Sequence, residues 1–142
     1  MLDIIRVIHS IVRWIVVLVG LWAVMRAWFG MFTGRSWNSW DRMSGQMFNT
    51  ALDFQLLLGV LLFFLSSEAR SLVMDISISV PLASLGYSIF RHVGFALLAA
   101  IIAHLGSRAS RKAATTRTRF ARAALLFTLA FVLLYFAIPW PW

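Results

Sequence analysis

Cysteine is absent from this 142-residue chain, which excludes disulfides, thiolate metal sites, iron–sulfur clusters and covalently attached c-type haem. Charged residues are scarce: they make up 13% of the chain, against about a quarter in soluble domains. The sequence also lacks a glycine-rich phosphate loop and a credible nucleophile and base arrangement, which argues against nucleotide-dependent and hydrolytic enzymes. Any bound metal must therefore use histidine or oxygen ligands.

Apolar residues dominate what is present. They account for 61% of the chain, and the mean hydropathy is +0.85, so the sequence predicts an integral membrane protein of one domain. Four apolar segments reach the roughly 20 residues that a transmembrane helix needs: about 4–32, 47–65, 85–105 and 120–138. Joined by short loops, they predict an all-α, four-helix up-down bundle.

The net charge of +8 comes from basic residues that cluster in the short loops between the apolar segments. This clustering indicates membrane orientation and not nucleic-acid binding. The second loop, Ser66 to Ala83, balances Arg70 with Glu68 and Asp75. The positive-inside rule therefore places the first and third loops in the cytoplasm and both termini in the periplasm of a bacterial inner membrane, with lipid around the helices. The first loop and its flanks contain Arg26, Arg35 and Arg42 against Asp41, and the third contains Arg108, Arg111, Lys112, Arg117, Arg119 and Arg122 without an acid.

Two histidines lie at matched depths on helices one and three. Both helices enter from the outside, with His9 about six residues in and His92 about seven, so the imidazoles share one level within about one helical turn. In an up-down bundle these helices are diagonal, and their axes are farther apart than the about 8–10 Å of adjacent helices. The gap suits two imidazoles on either side of an iron porphyrin, and it predicts one bis-histidine haem b near the periplasmic side.

Cationic and small side chains surround this predicted haem site. Arg6, His9 and Arg13 share one face of helix one, and Arg91 precedes His92, so three guanidinium groups are available to anionic propionates. Three simpler interpretations stay open: small residues often permit close helix packing, arginines near helix ends often reach headgroups without binding a ligand, and an isolated intramembrane histidine can simply donate to a neighbouring carbonyl. The small residues that would make room for a flat macrocycle are Gly20, Ala96, Ala99 and Ala103.

A second polar pair is expected in the cytoplasmic half. Asp53 lies about seven residues into helix two, and His104 lies near the same side on helix three. A carboxylate in hydrocarbon is costly and is expected to face the bundle interior with a partner, for which His104 is the first candidate and Gln55 and Arg108 are lesser ones. The pair could form a proton relay or part of a quinone site; the open alternative is a buried polar pair that fixes helix register.

Short motifs across almost the whole chain match a known pattern. They are His9-Ser10 and Arg13-Trp14, the run 52–59 (Leu-Asp-Phe-Gln-Leu-Leu-Leu-Gly), His92, Ala103-His104-Leu105-Gly106 and Ile138-Pro139-Trp140-Pro141. In these motifs the chain resembles a group of small four-helix bacterial membrane proteins loosely labelled cytochrome b. The resemblance implies a b-type cytochrome with His9 and His92 as ligands and His104 as a further candidate. Arg91 departs from the pattern, where an acidic residue is usual, and this change bears on haem potential and propionate pairing.

Two functions are compatible with these features. The first is a small membrane b-type cytochrome subunit that transfers electrons, with quinone as a candidate redox partner. The second is a cofactor-free or pigment-binding accessory subunit of a respiratory or photosynthetic complex, favoured by 12 Phe and 7 Trp in so short a chain. Either function favours a subunit of a larger membrane complex over a stand-alone enzyme. A small transporter is the weaker expectation, because broken helices are missing.

Overall fold

The computed structural model describes residues 1–67, 70–71 and 85–140 of the chain. These residues form four long helices, α1 (Leu2–Thr33), α2 (Ser39–Leu65), α3 (Leu85–Arg111) and α4 (Thr116–Ala137), and no strand occurs within the described ranges. Each helix is long and apolar enough to cross a membrane, which confirms the predicted all-α, multi-pass architecture. Most of the second loop predicted at Ser66 to Ala83 lies outside the described residues.

The helices extend beyond the apolar segments that predicted them, because their ends are set by capping and not by hydropathy. At the start of α2 the Asn38 side chain accepts hydrogen bonds from the backbone N–H groups of Trp40 and Asp41, and the Asp41 carboxylate accepts one from the N–H of Asn38. This reciprocal capping box begins α2 well before the apolar segment 47–65. Helix α3 likewise continues through polar residues to Arg111.

Tight connections join the helices at one end of the bundle. Gly34 ends α1 in the left-handed conformation, with φ 64°, and its N–H donates to the carbonyl of Gly30. Thr115 caps α4 by accepting a hydrogen bond from the N–H of Thr118. Such short connections force consecutive helices to run antiparallel and to pack side by side.

The four helices pack in a ring in chain order, so α1 and α3 lie on one diagonal and α2 and α4 on the other. Packing between α2 and α3 is the sparsest of the four adjacent pairs. The terminus end of the bundle is defined here as the end with Leu2, Leu65, Leu85 and Ala137, and the basic end as the end with Thr33, Ser39, Arg111 and Thr116. Large apolar side chains cover the outer surface of all four helices, as expected for contact with lipid.

The half of the bundle towards the basic end is closely packed around aromatic rings. Phe48, Phe120 and Phe127 are among the largest fully buried side chains. Glycines receive these rings: a Cβ added to Gly45 would lie 2.7 Å from the Phe127 ring, and one added to Gly30 would overlap the Phe120 ring. The absence of a side chain at these glycines lets the helices approach closely.

A buried carboxylate stabilises the same half of the bundle by linking α2 to α1 and to the connection between them. The Asp41 side chain is 2% exposed, and it accepts hydrogen bonds from Arg26 on α1 at 2.8 Å and from Arg35 in the α1–α2 connection at 2.8 Å. The hydrogen bond to Asp41 raises the pKa of the Arg35 guanidinium, which keeps its charge in place. Asn49 on α2 adds a link to α3 by donating to the Ser107 hydroxyl at 3.0 Å. The sequence analysis treated Asp41 only as a charge that offsets neighbouring arginines.

Candidate cofactor site

The structure brings His9 of α1 and His92 of α3 together across the diagonal of the bundle, near the terminus end. Their ring centroids are 6.2 Å apart and their planes are inclined by 70°. Two metal–nitrogen bonds of about 2 Å, added to the distance from each bonded nitrogen to its ring centre, give a centroid separation of about 6 Å. The spacing is compatible with two imidazoles that share one metal ion from opposite sides, and equally with a direct edge-to-face contact between the rings.

The carbonyl of Ala137 on α4 fixes the orientation of His92. Nδ1 of His92 lies 2.7 Å from that oxygen, and because a carbonyl only accepts, Nδ1 carries the proton and donates. Nε2 of the neutral ring then keeps its lone pair, which is the electron pair that a metal ion requires. A hydrogen bond from the second ring nitrogen to a backbone carbonyl is the usual support of a metal-binding histidine.

Gln55 on α2 holds the other imidazole. Its side-chain amide donates to the His9 carbonyl oxygen at 3.1 Å and lies 3.3 Å from Nε2 of the His9 ring. The sequence analysis placed Gln55 near Asp53 instead. The spacing carried a usable signal, because residues i and i+2 of a helix point in nearly opposite directions, and Gln55 therefore turns inward when Asp53 turns outward.

Unsatisfied polar atoms cluster around these two histidines. Four buried side-chain atoms have no hydrogen-bond partner among the described residues, and three of them lie here: Nδ1 of His9, Nε of Arg13 and Oε1 of Gln55; the fourth is Oδ1 of Asn49, in the half towards the basic end. A buried polar group without a partner lowers the stability of a fold by about 1–3 kcal/mol. Three such atoms in one place therefore destabilise a small bundle substantially. Ordered water or a bound group would satisfy these atoms.

All three of these residues, together with His92, line a cavity of about 520 Å³ between the helices. This volume lies within the range of pockets that hold cofactors and other small molecules, about 300–1,000 Å³. Most of its wall is apolar, from Val16 on α1 to Phe63 on α2 and Leu134 on α4. If the cavity held a porphyrin iron, His9 and His92 would be the residues that hold it, whereas a structural zinc site needs four ligands.

Of the predicted arginines, two line the cavity and one does not. Arg6 lines it and also pairs with Asp3 at 3.4 Å, a largely exposed contact. Arg13 lines it, donates to the Ser10 hydroxyl at 3.2 Å, and has no carboxylate partner among the described residues. Arg91 is exposed on α3 and is not part of the cavity wall. The positive charge at the cavity therefore comes from α1.

The small residues predicted to make room for a macrocycle divide between the two interpretations. Ala96 lines the cavity. Ala99 and Ala103 are fully buried, and a Cβ on Gly20 would lie 2.6 Å from the Phe48 ring, so these three residues serve helix packing. The prediction that all four would line a cofactor pocket was wrong, because helix spacing identifies a face but not what the face packs against.

Asp53 and His104 form the second predicted pair, but not where it was expected. Nε2 of His104 lies 2.9 Å and 3.1 Å from the two carboxylate oxygens of Asp53. The side chains are 54% and 51% exposed, so the pair lies on the outer surface of α2 and α3 and not in the bundle interior. The expectation of a buried pair was therefore wrong, although the partner was correctly identified.

Among the residues the structure describes, no group of three or more His, Cys, Asp or Glu side chains could hold a metal ion on its own. His9 and His92 are a pair and do not make up such a group. No family model matches the chain, and no curated protein and no solved structure matches it either. The resemblance to proteins labelled cytochrome b therefore stays a prediction.

Proposed function

We propose that this chain is a small membrane b-type cytochrome subunit that holds one haem b between His9 and His92 and transfers electrons within a larger membrane complex. The observation that carries the proposal is the 6.2 Å separation of the two imidazoles from diagonal helices, beside an apolar cavity of about 520 Å³. When bound, haem supplies one-electron redox chemistry, which the protein tunes through axial ligands, charge and burial.

Each residue of the site would have a separate role in holding the haem. His92 presents Nε2, because the Ala137 carbonyl holds its Nδ1–H. His9 supplies the opposite imidazole. Arg6 and Arg13 supply positive charge for anionic propionates, and the apolar wall of the cavity excludes water. Arg91, which the sequence analysis included, is not required in this arrangement.

Orientation follows from the charge distribution. The basic end includes Arg108, Arg111, Lys112 and Arg117 without an acid in that stretch, which favours a cytoplasmic position for this end in a bacterial inner membrane. The terminus end and its histidine pair then lie towards the periplasm. Because most of the described residues lie in the four helices, the chain is better suited to carrying electrons for partner subunits, with quinone as a candidate redox partner, than to acting as a stand-alone enzyme.

An absorption spectrum of the purified protein, oxidised and then reduced with dithionite, tests the proposal. We expect the split reduced bands of a low-spin b-type haem, with about one haem per chain by pyridine haemochromogen assay. His9→Ala and His92→Ala should each lose the spectrum, whereas His104→Ala, which removes the third histidine of the chain, should keep it. A colourless wild-type protein after expression with added haem precursor would contradict the proposal and favour the accessory subunit.

A further inference from the structure

The Asp53–His104 pair occupies an unusual position for ionisable groups. Asp53 lies about 9 Å inside the apolar segment that begins at residue 47, and His104 lies about 1.5 Å inside the one that ends at residue 105, yet both side chains are about half exposed on the outer surface of the bundle. Ionisable residues inside a membrane normally face the bundle interior or a water-filled cavity, because hydrocarbon solvates them poorly. A group from outside the chain is therefore expected to meet this pair.

A line of exposed polar residues connects the pair to the basic end. On α2, Gln46, Thr50 and Asp53 are spaced by four and three residues and share one face; on α3, His104, Arg108 and Arg111 do the same. All six are exposed. This polar track reaches from the membrane surface to the carboxylate and gives protons a short route to it.

Past the pair, towards the terminus end, the exposed surface of both helices becomes apolar. On α2 the next outward residues are Leu57, Val60 and Leu61, and on α3 they are Leu97 and Ile101. The pair is thus the deepest polar point on a surface that is otherwise suited to hydrocarbon chains. A molecule that fits has a polar head with hydrogen-bonding groups, a long apolar tail, and access from the lipid phase.

We propose that Asp53 and His104 bind the head group of a lipid-soluble quinone, whose tail lies along the apolar surface of α2 and α3. Nε2–H of His104 donates to the Asp53 carboxylate, so the N–H offered to a quinone carbonyl is Nδ1–H of the ring protonated on both nitrogens, and the carboxylate accepts a hydrogen bond from a hydroquinone hydroxyl. A partner helix packed over the same face would instead bury the polar track and separate it from water.

This inference rests on the proposed function for its source of electrons, but not for binding. Reduction of a quinone to a hydroquinone takes two electrons and two protons, and one O–H bond forms at each oxygen. The proposed electron carrier supplies the electrons one at a time. The polar track supplies the protons through Asp53 and His104.

Photolabelling tests the binding site directly. A short-chain azido-quinone is illuminated with the full-length protein in lipid nanodiscs, and the labelled peptides are identified by mass spectrometry. We expect the label on residues 46–57 and 97–108, and we expect an excess of unlabelled quinone to remove it, whereas an alkane of the same length should not. Asp53→Asn and His104→Gln should each weaken labelling about tenfold or more, because each removes a charge-assisted hydrogen bond.

Asp3→Asn is the matched control, because Asp3 is an exposed carboxylate at the opposite end of the bundle, and its labelling should stay at the wild-type level. Label that falls elsewhere, or that resists competition by unlabelled quinone in the wild-type protein, would overturn the inference even if the variants fail to fold. Efficient disulfide crosslinking of Thr50→Cys between copies in native membranes would also overturn it, because the face would then be covered by a second chain.

The absorption spectrum of the same preparation separates the two proposals. A colourless protein that is labelled at the pair would sink the cytochrome proposal and leave the quinone site standing. A coloured protein that is not labelled at the pair would overturn the quinone site and leave the cytochrome proposal standing.

Discussion

The bundle has one half towards the basic end and one half towards the terminus end. The two halves differ in how completely their buried polar groups are hydrogen-bonded and in how closely they are packed. In the basic half, aromatic rings fill glycine-lined spaces and the Asp41 carboxylate is fully satisfied by Arg26, Arg35 and the Asn38 N–H. In the terminus half, a cavity remains and polar atoms of His9, Arg13 and Gln55 lack partners within the described part of the chain, against one such atom, Oδ1 of Asn49, in the basic half. The same four helices thus provide a rigid support in one half and a site for a ligand in the other.

Removal of the buried carboxylate should break the basic half most severely. We expect Asp41→Ala to lower the free energy of unfolding by about 3 kcal/mol, the low end for a broken buried pair, because its arginine partners are each about a quarter exposed. Asp3→Ala, which removes the exposed ion pair with Arg6 in the terminus half, should have no measurable effect. Reversible unfolding in mixed detergent micelles measures both; similar losses would contradict the comparison.

Replacing an alanine of α3 by leucine should affect stability differently in the two halves of the bundle. Ala103→Leu on α3 places a large side chain where the native methyl group is fully buried, and we expect it to cost about 1–3 kcal/mol of stability. Ala96→Leu, two turns away, extends into the cavity and should change the free energy of unfolding by less than about 0.5 kcal/mol. If haem occupies the cavity, Ala96→Leu should also lower the haem content of the purified protein. Equal losses of stability would show that the cavity is not available space.

The smallest effect is expected where polar groups are already poorly satisfied. Gln55→Leu removes the contact with His9 together with the unpartnered Oε1 atom, so we expect a change in unfolding free energy of less than about 1 kcal/mol. Asn49→Leu also removes an unpartnered atom, Oδ1, but it leaves the buried Ser107 hydroxyl of the basic half without its donor, and we expect it to cost about 1–2 kcal/mol. A larger loss at Gln55 would mean that the contact with His9 holds the apoprotein together.

Depth along the membrane was predictable from the sequence, whereas direction around each helix was not. The fixed rise of 1.5 Å per residue placed His9 opposite His92 and Asp53 beside His104, and the structure brings both pairs together. The side to which a residue points depends on which helix faces pack, and that depends on the fit of many side chains at once. For this reason Gln55 was only a lesser candidate partner of Asp53 and its contact with His9 was not predicted, and Asp53 was predicted to face inward.

The burial of Asp41 and its bonds to Arg26 and Arg35 were not predicted, for a different reason. A carboxylate among several arginines near a loop is usually a solvated charge, and the sequence alone does not show that the α1–α2 connection folds back over it. The Asn38 to Asp41 spacing carried the signal, since a side-chain cap followed by an acid at the third helical position forms a capping box, and that box begins the helix and orients Asp41.

The sparse contact between α2 and α3 has a consequence for biogenesis. Because the packed half ties α1 to α2 through Asp41 and α3 to α4 through their short connection, the two hairpins can each form soon after insertion and associate at the basic end first. The terminus half then closes last, at the seam where few side chains interlock. A bulky prosthetic group could enter sideways from the bilayer at that stage, and chain folding would not have to wait for its delivery.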